Sequence, residues 1–159
     1  REEKGWAYGA GSSIDGGRGS QVFSARASVQ ADKTAEAMVE MSKALADMAG
    51  PRQVDDKELA VARDNMSLGL TSAWSTSAGV GSYLIDQQVN GLADDYYADY
   101  PEKVSSITRT TVNQEAVTLI GKRPLTWIVV GDLAKIEDSI RQLKLGEVRV
   151  IDVDGASVR

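Results

Sequence analysis

Trp6-Ala7-Tyr8-Gly9-Ala10-Gly11-Ser12-Ser13-Ile14-Asp15-Gly16-Gly17-Arg18-Gly19-Ser20-Gln21-Val22-Phe23-Ser24-Ala25-Arg26-Ala27-Ser28-Val29-Gln30 reads as a β-hairpin. In its second half Phe23, Ala25, Ala27 and Val29 alternate with Ser24, Arg26, Ser28 and Gln30, the period-2 pattern of a strand with one buried face. The partner strand runs from Trp6 to Ile14, with Trp6, Tyr8, Ala10 and Ile14 sharing a face with Ser12. Between the two, Asp15-Gly16-Gly17-Arg18-Gly19 supplies the positive-φ positions that a hairpin loop needs.

Downstream of the hairpin the period changes to that of helices. Thr34 is placed to cap a helix whose Met38, Met41, Leu45 and Met48 form one apolar stripe, and Gly50-Pro51 ends it. Asp55 with Glu58 makes a capping box for a second helix, with Leu59, Ala62, Met66 and Leu70 facing inward. A third helical stretch surrounds Val80 to Leu92. Asp94 to Pro101 is a loop rich in Asp and Tyr. Pro101 opens a short helix through Ile107, and Thr111 with Gln114 caps another through Ile120.

The tail changes character again. Leu125-Thr126-Trp127-Ile128-Val129-Val130 is a short apolar run between Pro124 and Gly131, as expected of a strand buried on both faces. Asp132 caps a helix with Leu133, Ile136, Ile140 and Leu143 as its stripe. Gly146 stops it, and Val148 to Val153 is a final strand. The expected class is α+β, a mainly antiparallel sheet with helices packed on one side. Residues 1–159 are read as a single domain, since 159 residues suffice for one core and would be cramped as two.

Composition excludes several chemistries. The chain has no histidine and no cysteine. A Ser-His-Asp triad, a thiolate nucleophile, a disulfide, a zinc ribbon and a histidine zinc site therefore cannot be built from it alone. The formal charge of −5 gives no support for a nucleic-acid or anionic-membrane surface. No apolar run approaches the roughly 20 residues of a membrane span. Beginning at Arg1, without an initiator methionine or signal peptide, the sequence reads as a piece of a longer protein.

The glycine-rich stretches do not make a nucleotide site. Gly9-Ala10-Gly11 and Gly17-Arg18-Gly19 each give G-x-G, but neither has the third glycine nor opens a helix after a buried strand. Asp152-Val153-Asp154-Gly155 resembles the start of a calcium loop without its later ligands, so an exposed turn is expected. In Asp94-Asp95-Tyr96-Tyr97-Ala98-Asp99-Tyr100 the expectation is tyrosine rings packed on the core with the acids in solvent, rather than a cation site.

One pattern points further. In Arg1-Glu2-Glu3-Lys4-Gly5-Trp6-Ala7-Tyr8 an arginine precedes a tyrosine by seven residues, in the form R-x-x-x-G-x-x-Y. Three further blocks follow in order: Asp95 through Leu119 with Ile107-Thr108 and Thr111-Val112, then Trp127-Ile128-Val129-Val130-Gly131-Asp132, then Leu143 through Gly155. Together they resemble the C-terminal, non-zinc domain of the pitrilysin-like (insulinase-type) zinc metallopeptidases. The resemblance implies that a family domain has further strands and helices before Arg1, and that the H-x-x-E-H zinc motif lies in another domain or subunit.

What the resemblance implies for function is a division of labour. Arg1 and Tyr8 would be accessory catalytic and substrate-binding residues, reaching the scissile carbonyl at a zinc site held by a partner domain. The chain itself would hold no metal or other cofactor; the zinc would be the partner's. Its partners would be a zinc-bearing peptidase domain or subunit and a peptide substrate, in a homo- or hetero-oligomer, with no nucleic acid and no membrane span. The alternative is a non-catalytic assembly subunit resembling processing-peptidase core proteins. Bacterial members are often exported, which points to the periplasm in preference to the cytoplasm. Odd spacing puts Arg1 and Tyr8 on opposite faces of one extended strand, so they converge only if the Lys4-Gly5 region bends.

Overall fold

A computed structural model describes residues 4–15, 19–121 and 124–158. It is an α+β protein with a two-stranded antiparallel sheet and six α-helices among the described residues. The strands are β1 (Ala7–Asp15) and β2 (Val22–Val29); the loop residues 16–18 between them lie outside the described part. The helices are α1 (Thr34–Met48), α2 (Asp56–Ala73), α3 (Ser77–Asn90), α4 (Tyr100–Ser106), α5 (Arg109–Ala116) and α6 (Leu133–Gln142). A 3-10 turn at Ala31–Lys33 precedes α1, and α5 runs on into a π-helical turn at Val117–Gly121. None of the described helices is long and apolar enough to cross a membrane.

The described residues fall into two compact units. The first comprises the chain up to Gly11, Ala25–Ala44 and the chain from Leu125 onward. There the base of the hairpin is closed by the Gln30 N–H donating to the Trp6 carbonyl at 3.1 Å. Thr34, Ala35 and Met38 at the start of α1 are buried, as is Ile136 of α6, and α6 packs on the 3-10 turn. Thr34 is not the N-cap that its position suggests. It is the first residue of α1, and its hydroxyl donates to the Ala31 carbonyl at 2.9 Å because the 3-10 turn already occupies the capping position.

The second unit holds the hairpin tip, Ser12–Ser24, and Leu45–Pro124. The capping box of α2 forms as its residue types require: the Glu58 N–H donates to Asp55 Oδ1 at 2.8 Å, and the Asp55 N–H to Glu58 Oε2 at 3.1 Å. The α2 stripe differs from expectation. Leu59 and Leu70 are buried, while Ala62 and Met66 are exposed. Arg63 turns inward instead and donates to the Ile107 carbonyl at the end of α4. Helices α2 and α4 pack together, and Val104 of α4, 3% exposed, is the most buried apolar residue described.

Thr76 caps α3, accepting from the Gly79 N–H at 3.1 Å. Gly79 must be glycine, since a Cβ there would run into the Ala73 carbonyl. The cap of α5 is Thr108, which accepts from the Thr111 N–H, rather than Thr111 itself. Asn113, buried in α5, accepts from the Val54 N–H at 3.0 Å and donates to the Val54 carbonyl at 3.4 Å. One amide thereby satisfies both backbone groups of a residue in the α1–α2 connection.

Two sheet expectations are corrected. Leu125–Val130 is not a strand: it has no ladder partner among the described residues, and Ile128 and Val130 are 84% and 94% exposed. A strand buried on both faces needs a sheet around it, and β1 and β2 alone do not supply one. Val148–Val153 is likewise not a strand; it makes a single antiparallel bridge, Ile151 with Ser157, about the Asp152–Gly155 turn. That turn is the exposed feature expected there. The Asp152 carboxylate accepts the backbone N–H groups of Asp154 and Ala156, at 3.0 and 2.9 Å.

Candidate functional site

The expected site begins where the chain enters β1. Lys4 lies in a turn, and Gly5 has φ +64°, the left-handed conformation that glycine adopts without penalty. An Arg1/Tyr8 pairing would require a bend in this region. A Cβ on Gly5 would meet nothing, so backbone conformation and not crowding is what favours glycine here. Arg1 itself lies outside the described residues, so the structure does not bring the two side chains together or hold them apart.

Tyr8 is described, and it is 93% exposed. The half-buried face of the hairpin carries Phe23, Ala25, Ala27 and Val29 of β2, as expected, but from β1 it takes Ala7, Gly9 and Ser13. Tyr8, Ala10, Ser12 and Ile14 do share a face, and that face points outward. Side chains alternate with a period of two, so the residues between them, Ala7, Gly9 and Ser13, take the other face. The outcome is a tyrosine whose ring packs on almost nothing and whose hydroxyl is open to an incoming group.

Behind Tyr8 the chain is fastened. The Lys4 ammonium sits 4.8 Å from the centre of the Trp6 ring and that of Lys33 5.8 Å from it. Lys4 pairs with Glu40 at 2.5 Å, and Lys33 with Glu36 at 3.0 Å. The bond from Lys4 holds the Glu40 carboxyl below its usual range. Glu36 is lowered by a backbone N–H at the start of α1 and then by Lys33, which is itself raised by Glu36.

The Asp/Tyr loop resolves as expected. Tyr96, Tyr97 and Tyr100 are half-buried, while Asp94, Asp95 and Asp99 are exposed. The rings join Tyr83 and Trp74 in an edge-to-face cluster, with Tyr83 and Tyr97 centred 4.7 Å apart and Tyr96 and Tyr97 5.1 Å apart. Tyr97 donates to Asp86 at 2.6 Å. Burial, then the Asp86 carboxylate, pushes the Tyr97 phenol well above its ordinary value; burial raises Tyr100 as well. An open hollow of about 330 Å³ lies beside Trp74 and Tyr97, and a more polar one of about 490 Å³ beside Arg109 and Asn113.

The residues do not fit a zinc ion. There is no histidine or cysteine in the chain, and among the described residues no group of three or more acidic side chains could hold a metal. What the arrangement can do is present one phenol O–H, on a strand of fixed register, to an acceptor on another molecule. Reasoning from sequence missed Trp6, Lys33 and Glu40 as a group, and Asn113. A lysine two residues before an aromatic residue, Lys4 before Trp6, was the available signal for the first; Asn113 gave none.

Residues 1–66 match the family model described as the Peptidase M16 inactive domain. The match takes in the Arg1-to-Tyr8 segment, both strands, α1 and the first part of α2; the three later blocks lie beyond it. No curated protein matches the chain. Over residues 1–66, the hairpin, α1 and the start of α2, the chain is similar to the inactive domain of the pitrilysin-like (insulinase-type) peptidases.

Proposed function

We propose that this chain is the substrate-facing, non-zinc half of a metalloendopeptidase, completed by a zinc-bearing domain or subunit. The observation that carries the reading is the exposure of Tyr8, within the matched segment, on the outward face of β1. A tyrosine kept for packing would cover apolar surface with its ring; this one leaves ring and hydroxyl free.

The chemistry suits peptide hydrolysis. As a scissile carbonyl is attacked, negative charge gathers on its oxygen. A phenol O–H aimed at that oxygen makes a hydrogen bond that strengthens with the charge, so it favours the transition state over the ground state. A guanidinium such as that of Arg1 offers a planar fork of donors for substrate carbonyls or a carboxylate, an interaction made before reaction as well as during it. Enclosing a peptide would need the partner's surface opposite this one, which makes a homo- or hetero-oligomer part of the proposal.

Steady-state kinetics of the assembled enzyme on one peptide tests it. Tyr8→Phe should lower kcat with little change in KM, whereas Arg1→Ala should also raise KM. If both variants keep wild-type kinetics while assembly still requires the chain, the alternative role as a non-catalytic assembly subunit takes its place.

A further inference from the structure

Trp6 stands two residues before Tyr8, one strand repeat of about 6.8 Å along the backbone. It is tied down in three ways. Its carbonyl accepts the Gln30 N–H, closing the base of the hairpin. Lys4 and Lys33 approach its ring, from the segment before β1 and from the 3-10 turn. Each ammonium in turn pairs with a carboxylate of α1, Glu40 and Glu36, which are four residues apart and so on one face of the helix. The series Glu36–Lys33–Trp6–Lys4–Glu40 alternates charge around one ring, and every member is described and lies in the same compact unit.

We infer that this clamp is a positioning device for Tyr8, with Trp6, Lys4, Lys33 and Glu40 fixing the start of β1 against α1. The inference rests on the reading of Tyr8 given above. Tyr8 makes almost no packing contacts, so its ring cannot locate itself. Its place is set by the backbone, and the nearest side chain that fastens that backbone to a helix is Trp6. An oxyanion donor is useful only where its hydrogen lies within hydrogen-bond reach of the reacting oxygen, so motion at Trp6 becomes lost rate at Tyr8. Trp6, Lys4, Lys33 and Glu40 act through Tyr8 and touch no substrate.

The test has two arms, both on the protein assembled with its zinc-bearing partner. The first reads the clamp without activity, by hydrogen exchange of the β1 amides in wild type, Glu40→Gln and Trp6→Leu. Exchange should quicken about 2- to 5-fold in Glu40→Gln, the effect of one exposed ion pair, and about 10-fold in Trp6→Leu, which removes both ammonium–ring contacts. Unchanged exchange in both single variants overturns the inference whatever Tyr8 does. The second arm is a double-mutant cycle in kcat. Glu40→Gln should lower kcat about 2- to 5-fold with KM unchanged, and should have no effect in a Tyr8→Phe background. An equal loss in both backgrounds shows a structural pair that does not act through Tyr8, and overturns the positioning role. If Tyr8→Phe alone leaves kcat intact, the oxyanion reading fails and the positioning role with it, while the exchange arm still decides whether the clamp exists.

Discussion

Replacing Asn113 separates a buried amide bridge from ordinary helix packing. Asn113→Ala deletes the acceptor of the Val54 N–H at 3.0 Å and the weaker donor to its carbonyl at 3.4 Å. The first bond contributes about 1 kcal/mol net and the second less. Val54 is half-buried, so water can partly replace the amide once the smaller alanine leaves room. Alanine also returns up to about 0.7 kcal/mol of helix propensity. The expected destabilisation is therefore about 0.5–1.5 kcal/mol. Asn113→Leu keeps the volume and shuts water out, leaving both Val54 groups unpaired, and should cost about 2–4 kcal/mol. Urea unfolding of the chain at constant m-value measures both. The order is the critical result. If Asn113→Leu is as stable as wild type, the amide is not bridging Val54, and the account of how α5 holds the α1–α2 connection is wrong.

Other consequences follow from charge and composition. The clamp has a pH window. Glu40, faced by Lys4 and Lys43, has a lowered pKa, so its contribution is complete above its ordinary 4.5 and is lost as pH falls through the lower folded value. Lys33, faced by Glu36 and Asp32, is raised, so its contribution is complete below 10.5 and is lost as pH rises through the higher folded value. Melting temperatures of Glu40→Gln and wild type should converge at low pH and differ near neutrality; a constant gap across the acid limb would contradict this. In an ultraviolet titration the Tyr97 transition should lie above the ordinary tyrosine value, and Asp86→Asn should bring it down; an unchanged transition in Asp86→Asn would exclude the Asp86 bond. Equilibrium dialysis should find no stoichiometric zinc on the chain alone, and a fluorogenic peptide no cleavage, because histidine and cysteine are absent. Chelator-sensitive cleavage by the purified chain would sink the assignment of zinc to the partner.

Legibility from sequence followed the range of the interactions. The Asp55/Glu58 box was readable because both halves of it lie within four residues. The buried face of β2 was readable because its alternation is uninterrupted. β1 was harder: the shared face of Tyr8, Ala10, Ser12 and Ile14 was readable, but Ala7, Gly9 and Ser13 are small enough to pass for either face, so the sequence did not say which side is covered. Arg63 and Asn113 could not have been placed, since their partners Ile107 and Val54 lie 44 and 59 residues away. Leu125–Val130 has the composition of a buried strand, but composition states a preference for burial and does not supply the neighbouring strands. For the candidate site, the spacing of Arg1, Gly5 and Tyr8 was legible, and Gly5 has a positive φ, while Arg1 lies outside the described residues. The fastening of Trp6 was not legible, because it depends on α1 bringing Glu36 and Glu40 back to the strand.

The central claim is that the Tyr8 hydroxyl serves the transition state, and inhibitor binding reads this directly. A peptide phosphonate presents the tetrahedral oxyanion that a ground-state peptide lacks, so the two ligands divide transition-state from ground-state recognition. Measured on the assembled enzyme, Tyr8→Phe should weaken phosphonate binding by about 10²-fold or more, in parallel with a kcat loss of ~10²–10³, and leave peptide KM within about 3-fold. Zinc content and melting temperature, recorded on the same samples, should not change. If phosphonate affinity and kcat both stay at wild-type values with zinc and melting intact, Tyr8 is an exposed strand residue with no part in catalysis, and the proposed function falls.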